Sequence, residues 1–455
     1  MTAPRREKGR ATAATRKFRL ICRTVLVGAL TVLPATGSAW AAPPDSPLHA
    51  VQSQVQYAGI VGSGSTWVYI AIQKWIVDLQ QRGLQVTFDP TGSAQGRRDF
   101  ANAAVDFAVS DVGYQGHDPV AGINDVSSRP YAYVPIAAGG MSFPYNIVVR
   151  GHRVTNLRLS GRTLAKIFTN KITNWDNPAI TRNNNGHRLP SLPIVTVVPS
   201  EGAWTTATFT RYLNYEFPSL WRAFNHGHGG MTEYWPRQGA HQVAVNGSAL
   251  IMNFIESASA NGAIGIDEYA YPLQAGFPVA GMRNAAGYYV LPSEYNVAVA
   301  LTQARINMNT NPRGYLLLLL SRVYSFKDRR SYPLASVSYG IMPTSPNDPT
   351  MQPPPGQFPA KWQTLAGFLF YAICQGQQYV GPVGFSVLPV NLVRAGFRQI
   401  DRIKLAAPQV DLSGMNIYHC PNPTFPLGHP NQKWLLTHAP MPPLCDKQGH
   451  GPCTG

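Results

Sequence analysis

The chain has 455 residues, 44% of them hydrophobic and only 13% charged, with 41 glycines and 39 prolines. That length exceeds one ordinary core and implies two to three domains, while the composition excludes a disordered tail or a single small module. The formal charge is +16, but residues 1–41 hold eight cations against Glu7, which leaves +9 on residues 42–455. Such a surface attracts anions in general; its basic residues are scattered and not interleaved with aromatics, so it does not make a nucleic-acid groove.

From the N-terminus, a basic stretch leads into the apolar run 24–33, ended by Pro34 and followed by Ser38-Ala39-Trp40-Ala41. This is the pattern of a secretory signal peptide cut after Ala41. The run is about half the ~20 residues that a helix needs to cross a bilayer. Cys22 precedes the run, where a lipid-anchoring cysteine would follow it. The mature chain then keeps Cys374, Cys420, Cys445 and Cys453, an even number that favours two disulfides outside the cell. Three pairings are open. Cys445 and Cys453 would close a short loop and leave Cys374 to tie the last long helical stretch to the tail at Cys420. No CxxC spacing exists for a zinc ribbon.

Next, 57–61 is a short apolar strand, 67–79 has apolar residues at helical spacing, and 86–88 and 105–109 are further strands. Strands and helices alternating over short connections predict an open, mostly parallel α/β sheet, which binds ligands at the carboxyl ends of its strands. A second unit begins near Gly139-Gly140, with strand 145–149, helix 160–168, strand 194–198, helices 205–213 and 248–260, and strand 263–266. The apolar segment 315–320 has the pattern of a short buried helix. Residues 343–359 are a Pro-rich loop. Helices 362–375 and 388–402 are expected to pack back on the first unit, and the last 50 residues form an irregular stapled tail.

Gly62-Ser63-Gly64-Ser65-Thr66 lies between a strand and a helix, where free backbone N–H groups and the helix dipole favour an anion. The spacing and lysine of a P-loop are missing. A single such loop is more often a helix cap, but the device recurs at Thr91-Gly92-Ser93, at Ser110-Asp111 and at 202–206. Four such loops around one crevice make a candidate anion site. His226, His228 and His241 lack a carboxylate or cysteine partner and are read as a solvated loop, so no metal site is expected. No GxSxG, HExxH or nucleotide fingerprint is present, so neither an enzyme nor a cofactor is expected. Trp67 and Trp204, on facing loops, are expected to pack at a domain interface.

Five segments run in a telling order: G-S-G-S-T-W, G-S-x-x-G-R, V-D-F-A-V-S-D, L-S-G-R-T-L-A-K-I-F-T-N-K-I-T-N-W-D-N-P-A-I and G-A-I-G-I-D-E-Y-A-Y. Over roughly 57–403 the chain resembles the secreted phosphate-binding proteins of phosphate ABC transporters, the PstS type, and its Cys-bearing tail looks like that of actinobacterial relatives. The resemblance implies a two-domain type II periplasmic-binding-protein fold, each domain a mixed, mostly parallel sheet flanked by helices, with the ligand cleft between them. The boundaries expected are a signal peptide at 1–41, a discontinuous first domain at 42–139 plus 338–405, a second at 140–337, and a tail at 406–455. Carried over by position, the phosphate contacts are Thr66, the backbone of Trp67, Ser93, Asp111 and Thr205, with Ser65 and Arg97 as further candidates. Asp111 is informative because a carboxylate accepts only from a protonated oxyanion, admitting hydrogen phosphate and repelling sulfate.

One loop departs from the pattern. Where the family has R-x-D-G-S-G-T, this chain has Pro199-Ser200-Glu201-Gly202-Ala203-Trp204-Thr205. The gripping arginine is lost, Glu201 is left without that partner, and Arg97 is the first candidate to replace it. The expectation is therefore a secreted monomer, peripheral to the membrane at most, that binds phosphate or a related oxyanion with weakened or altered affinity for an ABC permease. The alternative is a secreted binding or surface-interaction protein that keeps the fold without phosphate uptake.

Overall fold

Two strand pairs pass between two sheets, and they set the architecture. The computed structural model describes residues 56–118, 123–309 and 314–453; the signal-peptide reading lies outside them. The larger sheet has six strands in the order Asp267–Glu268, Tyr131–Ser142, Ala335–Pro343, Phe107–Ser110, Ile60–Gly64, Val86–Asp89. Its last three strands are parallel, and Ala335–Pro343 pairs antiparallel with both Phe107–Ser110 and Tyr131–Ser142. The smaller sheet has Gln242–Val245, Val195–Pro199 and Ala263–Gly265 in parallel, with Tyr145–Asn146 antiparallel at its edge. Strand Tyr131–Ser142 of the first sheet is thus followed at once by Tyr145–Asn146 of the second, and Ala263–Gly265 of the second by Asp267–Glu268 of the first. The result is a two-domain α/β fold with mixed sheets.

The parallel core matches the alternation in the sequence, but the two long central strands do not announce themselves. Tyr131–Ser142 and Ala335–Pro343 are buried on both faces almost throughout, so they lack the apolar–polar alternation of a half-exposed strand. Pro135 sits where the register shifts between Ser338 and Tyr339, at an irregularity that tolerates a residue without an N–H. The segment 315–320 is not a helix. Leu318–Leu319 is a strand paired antiparallel with Arg305–Ile306, and the hydrogen bonds from Leu316 N to Asn307 O at 2.7 Å and from Asn307 N to Leu317 O at 2.8 Å commit to that ladder the backbone groups a helix would need.

Helix Ala360–Ile373 and helix Val390–Ile400 do cover the six-stranded sheet. Trp75 Nε1 donates to Gly376 O at 3.0 Å, and Gln377 Nε2 donates to Ile136 O at 2.9 Å. Residues 294–304, numbered with the second domain in the boundaries above, are hydrogen-bonded to this first half. Asn391 Nδ2 donates to Leu301 O and Ala304 O, both at 3.1 Å, and the Ser386 hydroxyl donates to Glu294 O at 2.5 Å. The second half is built on an aromatic cluster of Phe143, Phe168, Phe209 and Trp235, with ring centroids 5.3–6.0 Å apart. Beside it Arg158–Ser160, Gly281–Arg283 and Tyr289–Val290 form a three-stranded sheet.

Cys374 is bonded to Cys420 and Cys445 to Cys453. The first bond closes a sequence separation of 46 residues, which in the loop-entropy picture is worth ~3–4 kcal/mol. Replacing Cys374 and Cys420 together by serine is expected to lower unfolding stability by about 2–4 kcal/mol in urea titrations followed by circular dichroism.

Candidate functional site

Strand Phe107–Ser110 ends at Asp111, which is buried among hydroxyl groups delivered by three neighbouring elements. Ser65 follows strand Ile60–Gly64 and donates to Asp111 Oδ2 at 2.6 Å; Ser93 opens helix Ser93–Ala101 and donates to the same oxygen at 2.8 Å. Ser338 of the antiparallel strand donates to Oδ1. The cluster is local to the sheet because adjacent parallel strands put their carboxyl ends side by side. Burial is the largest influence on Asp111 and pushes its carboxyl from 3.8 up to about 6; the serine hydroxyls pull it down, and Glu233 adds to the rise. Three hydroxyls occupy three of the roughly four acceptor positions that a carboxylate has.

Arg97 lies on the inner face of the same helix and is 1% exposed. Its Nε donates to Asp125 Oδ2 at 2.9 Å. Its two terminal nitrogens reach Glu233 Oε1 at 3.2 Å and Oε2 at 2.7 Å, and Nη1 also donates to Ser110 Oγ at 3.0 Å and Val112 O at 3.2 Å. Glu233 belongs to the second half, where its carbonyl accepts from Ala203 N at 2.9 Å. The guanidinium is therefore committed to two carboxylates and joins the halves, and it does not stand free to replace the missing arginine. Sequence reasoning found Arg97 but neither acid.

The second contact between the halves is aromatic. Trp67 and Trp204 stack with centroids 4.0 Å apart and planes 6° from parallel, both rings buried. Trp67 fits because residue 139, inside the long strand, is glycine: a Cβ there would lie 2.3 Å from Trp67 Cζ2. Thr205 is buried behind Trp204 at the start of helix Trp204–Glu216, whereas Thr66 is exposed. Among the described residues, buried Trp204 Nε1 and Thr206 Oγ1 have no hydrogen-bond partner.

The sequence matches the model of the PBP superfamily domain over residues 42–374. It is 30% identical over 249 residues to the phosphate-binding protein PstS of Pasteurella multocida, covering 54% of this chain and 67% of that protein. The chain belongs to the PstS family. PstS of Xylella fastidiosa is 26% identical over 75% of this chain and 84% of its own length. Among solved structures, a high-affinity periplasmic phosphate-binding protein, PfluDING, shares the fold with a TM-score of 0.56 at 20% identity, over 75% of this chain and 93% of that one. A phosphate-binding protein from Stenotrophomonas maltophilia does so with a TM-score of 0.54 at 17% identity, over 80% and 97%. The family consists of solute-binding transport proteins and not of enzymes.

Against the PstS pattern, the altered loop has been absorbed into structure. Pro199 ends strand Val195–Pro199 and is buried. Ala203 is the N-cap of helix Trp204–Glu216 with extended backbone and no capping side chain, so hydroxyl capping is lost where the family has serine. Glu201 is not left unpaired: its Oε1 accepts from Gly247 N at 3.0 Å, at the start of helix Ser248–Glu256. This position suits a carboxylate because helix N-termini favour negative charge.

Two further acids went unrecognised although they stand in the G-A-I-G-I-D-E-Y segment. Asp267 and Glu268 are buried on the crossing strand, where Asp267 Oδ1 accepts from Glu268 N at 2.8 Å, Ser142 Oγ donates to Asp267 O at 3.1 Å and Ser248 donates to Glu268 Oε2. Burial is the largest influence on both carboxyls, pushing Asp267 up to about 7 and Glu268 well above its ordinary value. Among the described residues no group of three His, Cys, Asp or Glu could hold a metal ion, and no helix is long and apolar enough to cross a membrane.

Two outcomes follow from this geometry. Gly139→Ala should destabilise the protein by about 1–3 kcal/mol, because Trp67 is backed by Trp204 and cannot yield; chemical denaturation measures it. Asp111, Asp267 and Glu268 all bind protons more tightly folded than unfolded. For Asp111 and Asp267 the stabilisation is complete below the ordinary carboxylate range and is lost as pH rises through about 6 to 7. The thermal midpoint should accordingly fall from pH 5 to pH 8, and Asp267→Asn should flatten that fall.

Proposed function

We propose that this protein is the secreted solute receptor of a phosphate ABC transporter, taking hydrogen phosphate in the cleft with an affinity below that of a site carrying the full family loop. The observation that carries the reading is Asp111, a buried acceptor beside Ser65 and Ser93 at the ends of parallel strands, 2.6 and 2.8 Å away. A carboxylate in that position rewards an oxyanion that still bears a proton and penalises one that does not. Relatives named as phosphate-binding proteins support the same ligand. Thr66, Trp67 N, Ser93, Asp111 and Thr205 are the contacts we assign, with Ser65 orienting Asp111. Arg97 acts as a brace, since Asp125 and Glu233 hold it.

The lower affinity follows from the loop. An arginine at 199 would add two charge-assisted hydrogen bonds of ~1.5–3 kcal/mol each, and their loss corresponds to about 10² to 10⁴ in the dissociation constant. In this reading the protein works as a monomer that presents its closed form to a permease outside the cytoplasmic membrane.

Equilibrium dialysis against phosphate and sulfate tests the assignment. Phosphate should bind and sulfate should not, and Asp111→Asn should narrow the gap between them because an amide can donate as well as accept. Unchanged binding of both anions in that variant would remove Asp111 from the site. Absence of phosphate binding to the unmodified protein at millimolar concentration would favour the surface-interaction alternative.

A further inference from the structure

The family match ends at residue 374, and the 81 residues beyond it include two anchorages on opposite halves of the molecule. On the first half, Cys420 is bonded to Cys374 at the end of helix Ala360–Ile373. Asn422 Nδ2 donates to Ile373 O and Leu388 O, both at 3.2 Å, and Arg394 Nη2 donates to Asn431 Oδ1 at 2.6 Å. On the second half, Arg330 Nη1 donates to Leu436 O and Ala439 O, both at 3.0 Å. Asn284 Nδ2 ties that arginine's segment to the three-stranded sheet by donating to Arg329 O at 2.8 Å and Ser331 O at 3.1 Å.

The end of the tail is a ring closed by Cys445 and Cys453, and it docks on the same sheet. Arg158, whose side chain is 4% exposed, donates through Nη1 to His450 O at 2.6 Å and through Nη2 to Cys445 O. Arg283 Nη1 donates to Gln448 Oε1 at 2.7 Å, and Gln448 N donates to Gly287 O at 2.8 Å. The ring presents carbonyl oxygens from both of its sides to one buried guanidinium, an arrangement that a free peptide would lose entropy to adopt.

Asn431 and Leu436 are five residues apart, so an extended chain between the two anchorages spans at most about 17 Å. Helix Trp434–His438 shortens that reach further. Separating the halves beyond that reach must unwind helix Trp434–His438 or release one anchorage. We propose that residues 420–453 are a strap, fixed covalently to the first half and docked reversibly by Arg158 and Arg330 on the second, that limits how far the cleft opens and slows its opening. The strap depends on the two-domain fold and not on which anion the cleft holds.

The test compares the unmodified protein with two variants: a chain ending at Asn431, which keeps the Cys374–Cys420 bond, and the full chain with Cys445→Ser and Cys453→Ser. Small-angle X-ray scattering without ligand should give a larger radius of gyration for both, and hydrogen exchange in the second variant should rise across 436–450. Release of inorganic phosphate, followed by filter binding after dilution, should quicken about threefold or more. Identical scattering for the shortened and unmodified chains would overturn the strap. If the shortened chain does not fold, the serine pair decides: unchanged scattering and unchanged exchange across 436–450 overturn it equally. If phosphate does not bind the unmodified protein, the phosphate reading falls while the scattering still decides the strap.

Discussion

Asp111 is a buried carboxylate surrounded by hydroxyl groups, and much of the cleft is arranged around that demand. An ionised acid removed from water must be given hydrogen bonds or else take up a proton. Ser65, Ser93 and Ser338 supply those bonds from three separate elements, so the loop after the first strand, the start of the next helix and the long return strand are held in mutual register. Arg97 then fastens the next layer out, bonding Ser110 Oγ and Val112 O on either side of Asp111. It meets its charge partners in Asp125 and Glu233 and leaves Asp111 to the serines.

How much of this could be read from the sequence depends on how far apart the partners are along the chain. The Gly-Ser loops after the parallel strands are local signals, and Ser65, Ser93 and Asp111 stand together as their spacing implied. Glu233 lies 136 residues from Arg97 and Ser338 lies 227 residues from Asp111, and neither has a local pattern that would mark it. Strands buried on both faces are similarly silent, which is why Tyr131–Ser142 and Ala335–Pro343 have no periodic trace. The loop at 199–205 was legible as a departure, but not in its consequence: Glu201 turned to cap a neighbouring helix, a role decided by tertiary packing.

The passage between the two sheets concentrates buried acidity. Asp267 and Glu268 sit on the crossing strand, next to Ser142 on the other, and their burial favours the protonated forms.

The Trp67–Trp204 pair has an optical consequence. Two indoles with centroids 4.0 Å apart and planes 6° from parallel bring their transition dipoles into strong coupling, which splits the absorption of the pair. One ring belongs to each half, so the coupling exists only while the halves are together. The cleft carries its own chromophoric ruler, and the separation of the domains is written into the near-ultraviolet absorption of the native, unlabelled protein.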